Sequence, residues 1–162
     1  MSLRLLPLIA ASGSALLLGG GASAASLSRS VDVNGTPATV WSVIGPFCAI
    51  QQWHPAIGTC TEGGTAKHTR TLVTRDGNAT FVETQIGRND AEYSYSYVFD
   101  RSPLPVTQYT STLKVTPKGK DISTVTWTGT YIPDPGKEIA ANEALLGIYE
   151  AGLNAIKAKL LK

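Results

Sequence analysis

The sequence predicts an α+β domain in which one antiparallel sheet covers a long C-terminal helix, and three observations carry that expectation. Residues 137–162, KEIAANEALLGIYEAGLNAIKAKLLK, place Ile139, Asn142, Leu146, Tyr149, Leu153, Ile156 and Leu160 at alternating steps of three and four, so these side chains share one helical face. Ala141, Leu145 and Ile148 widen that stripe, while Lys137, Glu138, Lys157 and Lys159 stay in water. Upstream, a series of segments alternates with period two between Gly, Asn and Asp turn signals. Between the first of these strands and the rest lie two short helical pieces. A sheet that covers such a helix either packs flat on it or curls round it and leaves a hollow, and the choice decides whether the protein has a cavity.

Taken in order, the chain opens with Arg4 and then LLPLIAASGSALLLGGGASA, an apolar run ending in the small residues Ala22, Ser23 and Ala24. This is the pattern of an export signal cleaved before Ala25, giving residues 1–24 as signal peptide and 25–162 as the mature domain. The run falls short of the ~20 apolar residues a membrane span needs, and no stable membrane insertion is expected after cleavage. Of the 14 basic residues only Arg4 lies in the leader, so the mature domain keeps 13 against 12 acidic ones. That balance gives no footprint for nucleic acid or an anionic membrane.

Leu27–Val33 alternates as a first strand and Asn34-Gly35 turns it. Thr36 then caps a short helix with Pro37 in its first turn, running to about Gly45-Pro46 with Val40, Trp41 and Ile44 on one side. Phe47–His54 forms a second helical piece, stopped by Pro55. Strands are expected at 57–62, 67–74 (turning at Asp76-Gly77), 79–86, 92–99, 109–116 and 122–131. In YSYSYVF the alternation puts Tyr93, Tyr95, Tyr97 and Phe99 on one face. The three tryptophans, Trp41, Trp53 and Trp127, read as core. Cys48 and Cys60 are either a disulfide, stable in an oxidising compartment, or two small buried hydrophobes.

This order of elements, together with VWSVIGPF (40–47), QWHPA (52–56), Arg70-Thr71-Leu72, Glu83, Tyr95-Ser96-Tyr97, SPLPV (102–106) with Tyr109, and Val125-Thr126-Trp127, resembles the helix-grip fold of the START/Bet-v-like superfamily. The superfamily is also called SRPBCC or polyketide-cyclase-like, and the pattern is most similar to bacterial relatives of the plant abscisic-acid receptors, the PYR/PYL/RCAR-like group. The resemblance implies a curved seven-stranded antiparallel sheet wrapped round the C-terminal helix, enclosing a mostly apolar cavity. It puts His54 where the receptors keep a ligand-pairing lysine, Arg70 and Glu83 on the polar side, Tyr97 and Phe99 on the wall, Tyr109 near the mouth, and Leu145 and Tyr149 on the helix above. Arg75-Asp76-Gly77 stands at the receptors' gate without its Leu-Pro, and Leu104-Pro105 at their latch without its His-Arg pair. Hormone-gated phosphatase inhibition is therefore not implied.

The reading that follows is an exported binding protein for a small hydrophobic molecule with one oxygen-bearing end, of the lipid, polyketide or isoprenoid kind, acting as monomer or weak homodimer. Two alternatives stand beside it. One is a cyclase, dehydratase or isomerase with His54 or Glu83 as acid–base and Arg70 holding an enolate-like oxygen. The other is a non-catalytic partner of a periplasmic enzyme. No cofactor is expected, and with only His54 and His68 and no repeated carboxylate spacing, no metal site. Nucleophile-elbow, phosphate-loop and dinucleotide motifs are absent from the sequence.

Overall fold

The computed structural model describes residues 23–63 and 68–161; most of the expected leader lies outside them. Seven antiparallel strands form one sheet: β1 (Ala25–Asn34), β2 (Ile57–Glu62), β3 (Thr69–Thr74), β4 (Thr80–Asn89), β5 (Ser94–Arg101), β6 (Val106–Gly119) and β7 (Ile122–Pro133). Their spatial order is β1-β7-β6-β5-β4-β3-β2, so every neighbour pair except β1 with β7 is joined by a hairpin. Between β1 and β2 come α1 (Pro37–Ile44), a 3-10 turn at Phe47–Ala49 and the single-turn α2 (Ile50–Trp53); α3 (Glu138–Lys159) closes the chain. The sheet curls round α3 in the helix-grip arrangement.

Local chemistry fixes the brace after β1. The Thr39 N–H donates to Thr36 Oγ1 at 3.3 Å and Pro37 occupies the first turn, a cap of about 1 kcal/mol. Val40 and Ile44 are fully buried and Trp41 nearly so. Gly45 follows with no room for a side chain, because a Cβ there would lie 2.6 Å from the Trp41 ring. Cys48 and Cys60 form a disulfide with Cα atoms 5.5 Å apart. It fastens the 3-10 turn to β2, reinforced by Cys48 N–H to Glu62 Oε1 and Cys60 N–H to Gln51 Oε1.

Three expectations need correction. The strand expected to end at Ile86 continues to Asn89, because a register shift between Gln85 and Gly87 absorbs the irregularity and lets Gly87 pair with Ser96. Tyr93 does not share the aromatic row: it precedes β5 at φ 51°, its carbonyl accepting from Val115 N–H. The row is Tyr95, Tyr97 and Phe99, with Tyr95 and Tyr97 each 2% exposed. On α3 the buried stripe runs through Ala141, Leu145, Tyr149, Gly152, Leu153 and Ile156. Ile139, at 76% exposure, and Asn142 fall off its edge. The N-terminal turn is therefore buried along the expected second row, since a straight 3.6-residue helix drifts away from a seven-residue repeat. Asn142 still serves at the rim, where its side-chain oxygen accepts from Tyr131 at 3.3 Å.

Candidate functional site: a cavity between the sheet and the last helix

The sheet does not pack flat. Between β3–β5, α2 and α3 lies a cavity of about 210 Å3, somewhat smaller than the roughly 300–1,000 Å3 of drug-sized ligand sites. Its walls are overwhelmingly apolar, with Ile57, Leu72, Phe81 and Phe99 from the sheet, Ile50 from the brace, and Leu145 and Ile148 from α3. The polar residues His54, Glu83, Tyr97 and Tyr109 and the Trp127 indole complete the lining. Phe99 and Tyr109 stack at 3.8 Å and 11°, forming one flat aromatic wall.

Of the residues expected at the site, His54, Glu83, Tyr97, Phe99, Tyr109 and Leu145 line this cavity. Arg70 and Tyr149 stand behind the lining. Arg70 pairs directly across from Glu83 in the β3–β4 register, but its guanidinium is drawn away from the hollow. Nε donates to Glu83 Oε2 at 2.6 Å, Nη1 donates to the Phe47 carbonyl, and Cζ sits 3.9 Å from the Phe47 ring centroid. Arg70 thus tethers the brace to the sheet. Tyr149 is fully buried against Trp127, ring on ring at 4.5 Å.

The expected gate residues Arg75, Asp76 and Gly77 lie outside the lining because the β3–β4 hairpin satisfies itself and its neighbour. Arg75 Nε donates to the Pro55 carbonyl, Asp76 accepts from Thr74 Oγ1 and the Asn78 N–H, and Gly77 takes φ 74°. Their neighbours Thr74 and Ala79 reach the cavity instead. At the other loop Leu104 lines it together with Pro103, whereas the Pro105 carbonyl is held by Asp134 N–H.

His54 is spoken for on both nitrogens. Nδ1 accepts the Ala56 N–H at 3.2 Å, which leaves the proton on Nε2 to donate to the Ile148 carbonyl at 3.0 Å. The ring pins α2 to α3 in its neutral form, and burial together with the Arg70 charge pushes its pKa below the usual histidine value. Gly152 makes room for it: a Cβ there would lie 2.8 Å from His54 Cδ2 and Trp127 Cζ3. Burial raises the Glu83 carboxyl above the ordinary range, against the pull of Arg70. Burial is the largest single influence on Arg70 and would lower it, but the Glu83 carboxylate together with Tyr95 and Tyr97 outweighs that and holds the guanidinium charged.

Sequence reasoning missed Phe81, Leu72 and Trp127 as lining. Strand periodicity carried the first two, since Phe81 shares its face with Glu83 and Leu72 with Arg70. Trp127 belongs to core and cavity at once. Among the described residues there is no cluster of three metal-ligating side chains, and no helix long and apolar enough to cross a membrane.

The family model described as polyketide cyclase / dehydrase and lipid transport matches residues 24–161. The chain belongs to that family. Among solved structures, XoxI from Bacillus cereus is 32% identical, with a TM-score of 0.80 over 85% of this chain and 96% of that one. Truncated norcoclaurine synthase from Thalictrum flavum (18% identity, TM-score 0.69, 86% and 95% covered) shares the fold. So does the Zhui aromatase/cyclase from Streptomyces sp. R1128 (13%, 0.69, 85% and 94%). No curated protein sequence matches the chain significantly.

Proposed function

We propose that this family member is an exported binding protein that holds a small hydrophobic molecule, bearing one oxygen function, between its sheet and α3. The observation that carries the reading is the cavity: a hollow of about 210 Å3 with apolar walls and a few polar residues, the usual construction of a small-molecule site. A void of that size in an otherwise close-packed domain costs stability unless something fills it. The partner-protein reading needs the hollow closed by rings, and it is open. The acid–base reading with His54 as the base needs a free nitrogen on that ring, and its enolate-holding arm needs a guanidinium facing the ligand. Both His54 nitrogens are bonded, and Arg70 points to Phe47 and Glu83. The remaining group of that reading, Glu83, lines the cavity with its carboxyl raised by burial. Export is supported by the N-terminal pattern and by the Cys48–Cys60 bridge, which persists in oxidising compartments.

Native mass spectrometry of the protein purified from its own host tests both halves at once. The expected mass is that of a chain beginning at Ala25, plus a stoichiometric small molecule that leaves on mild denaturation. An uncleaved chain would overturn the export reading. A bare mass, combined with no uptake of ethylbenzene or acetophenone by the purified protein, would overturn the binding reading.

A further inference from the structure

From the cavity wall at Tyr97, Tyr109 and Trp127 to Ser111 and Tyr149 behind it, five side chains form one hydrogen-bonded relay, and counting protons fixes its direction. Ser111 Oγ donates its single proton to the Thr128 carbonyl at 2.7 Å. It therefore accepts from both its other neighbours, Trp127 Nε1 at 2.9 Å and Tyr149 at 3.0 Å. Tyr149, having given its proton to Ser111, accepts from Tyr109 at 2.7 Å. Tyr109 has then used its own proton and offers only a lone pair to Tyr97, which lies 3.5 Å away. The Tyr97 oxygen already accepts from Trp127 Nε1 at 3.1 Å. Every proton in the relay has a short, strong acceptor except the last, and Tyr97 carries that one on the wall of the cavity.

We infer that Tyr97 is the specificity-determining donor of the cavity, and that the part of the ligand placed against it is an oxygen acceptor such as a ketone, ester or ether oxygen. This rests on the binding reading above and deepens it. A buried hydroxyl whose proton has only a 3.5 Å partner gains a full hydrogen bond when a carbonyl oxygen arrives. A donor placed against Tyr97 would meet a proton, because its oxygen already accepts from Trp127 Nε1 and the relay cannot reverse while Ser111 is bound to Thr128. The four aromatic neighbours Phe99, Tyr109, Phe47 and Tyr95 hold the Tyr97 ring on its sides, so the hydroxyl is presented without rotamer freedom.

The test uses two one-ring probes matched in size, acetophenone and ethylbenzene, titrated into the full mature protein. Acetophenone is expected to bind about fivefold more tightly, the worth of one neutral hydrogen bond, with its carbonyl stretch moved to lower frequency than in a hydrocarbon solvent. In Tyr97→Phe the preference and the frequency shift both disappear while ethylbenzene binds as before. In Tyr149→Phe both remain, since Tyr109 turns its freed proton towards the Tyr97 oxygen and leaves the Tyr97 proton for the ligand. Equal binding of the two probes, or a carbonyl shift that survives Tyr97→Phe, would overturn the inference and leave the cavity a purely apolar binding site. Uptake of neither probe would overturn the binding reading, and this inference with it.

Discussion

The two halves of the sheet bury their inner faces in different ways. Around β1, β6 and β7 the structure is solid: Val33, Leu113, Val115 and Val125 pack against Val40, Ile44 and Ile156 with almost no exposure. Register there is unbroken from Ala25 opposite Tyr131 to Asn34 opposite Ile122. Around β3, β4 and β5 the same helix is met by Phe81, Phe99, Tyr97 and Glu83 across a void. The β4–β5 pair in this half shifts register at Val82/Glu83 and Gln85/Gly87 and β2–β3 at Ile57/Thr59, whereas the β6–β7 pair shifts only towards its ends, at Thr107/Thr110 and Pro117/Gly119. Bulges bend and twist a strand, and the two within β4–β5 fall in strands that stand off the helix across the void. A regular β1–β7 ribbon anchors α3, and the cavity opens beside the irregular β4–β5 pair.

Matched truncations on the two sides break or sharpen this contrast most directly. Leu113 and Leu145 are both essentially unexposed, yet only Leu145 faces the hollow. Leu113→Ala should cost about 4–5 kcal/mol, because close-packed surroundings relax little around the new void. Leu145→Ala should cost about 2–3 kcal/mol, near the transfer value alone, since part of its surface already lacks neighbours. Urea unfolding of both variants decides it, and equal losses would mean that the two halves are packed alike.

Next in size is the ion pair that joins the hollow half to the brace. Glu83→Ala leaves the Arg70 guanidinium buried with only the Phe47 carbonyl, and should cost about 3–5 kcal/mol. The double variant Arg70→Met, Glu83→Leu should recover most of that loss. Recovery would show that the pair is kept for the cavity's chemistry or the brace's position rather than for stability. A single-variant loss under 1 kcal/mol would place the Arg70 charge in contact with water. Reducing the Cys48–Cys60 bridge loosens the same brace. With the cysteines 12 positions apart in sequence, chain entropy gives about 3 kcal/mol, and the loss should fall on the hollow side, as faster amide exchange in 47–62 than in β1 and β7.

How much of this was legible beforehand depends on whether the cause is local. The cap at Thr36, the Pro37 start, the stop at Pro55 and the Asp76-Gly77 turn are local effects, and local chemistry located them. The period-two pattern likewise placed all seven strands, β2 to the residue, although β6 runs from Val106 to Gly119 where 109–116 was expected. The bulges at Gln85/Gly87 and Thr107/Thr110 left no pattern to read, because an extra residue in a ladder is set by the partner strand. For the site, the inward facing of Glu83, Tyr97 and Phe99 followed from alternation and resemblance, whereas the withdrawal of Arg70 did not. It depends on a carbonyl of Phe47, 23 residues away in sequence, and no residue type announces a backbone acceptor. The Tyr–Ser–Trp relay was hidden for the same reason: its direction is decided by the Thr128 carbonyl.

The smallest expected effect concerns the hinge between the halves. His54 links α2 to α3 as a neutral ring, and its pKa lies below the ordinary 6.5 because burial penalises the imidazolium and Arg70 repels it, against the Ile148 carbonyl. In the unfolded chain the ring protonates first as pH falls. Its contribution is therefore complete above about pH 6.5 and is lost as pH drops towards the folded value. Protonation would also put a hydrogen on Nδ1 facing the Ala56 N–H, breaking the contact that orients the ring. Glu83 acts in the opposite sense: its raised pKa makes the folded state take up a proton first, so acidification through that window favours folding. Only a difference measurement separates the two. Urea midpoints for the protein and for His54→Gln, compared between pH 7.5 and 5.5, should converge as pH falls, the protein losing its advantage while the variant holds. If the gap stays constant across that range, the His54 ring is not neutral when buried, and the Nε2–H to Ile148 bond does not need the tautomer assigned to it.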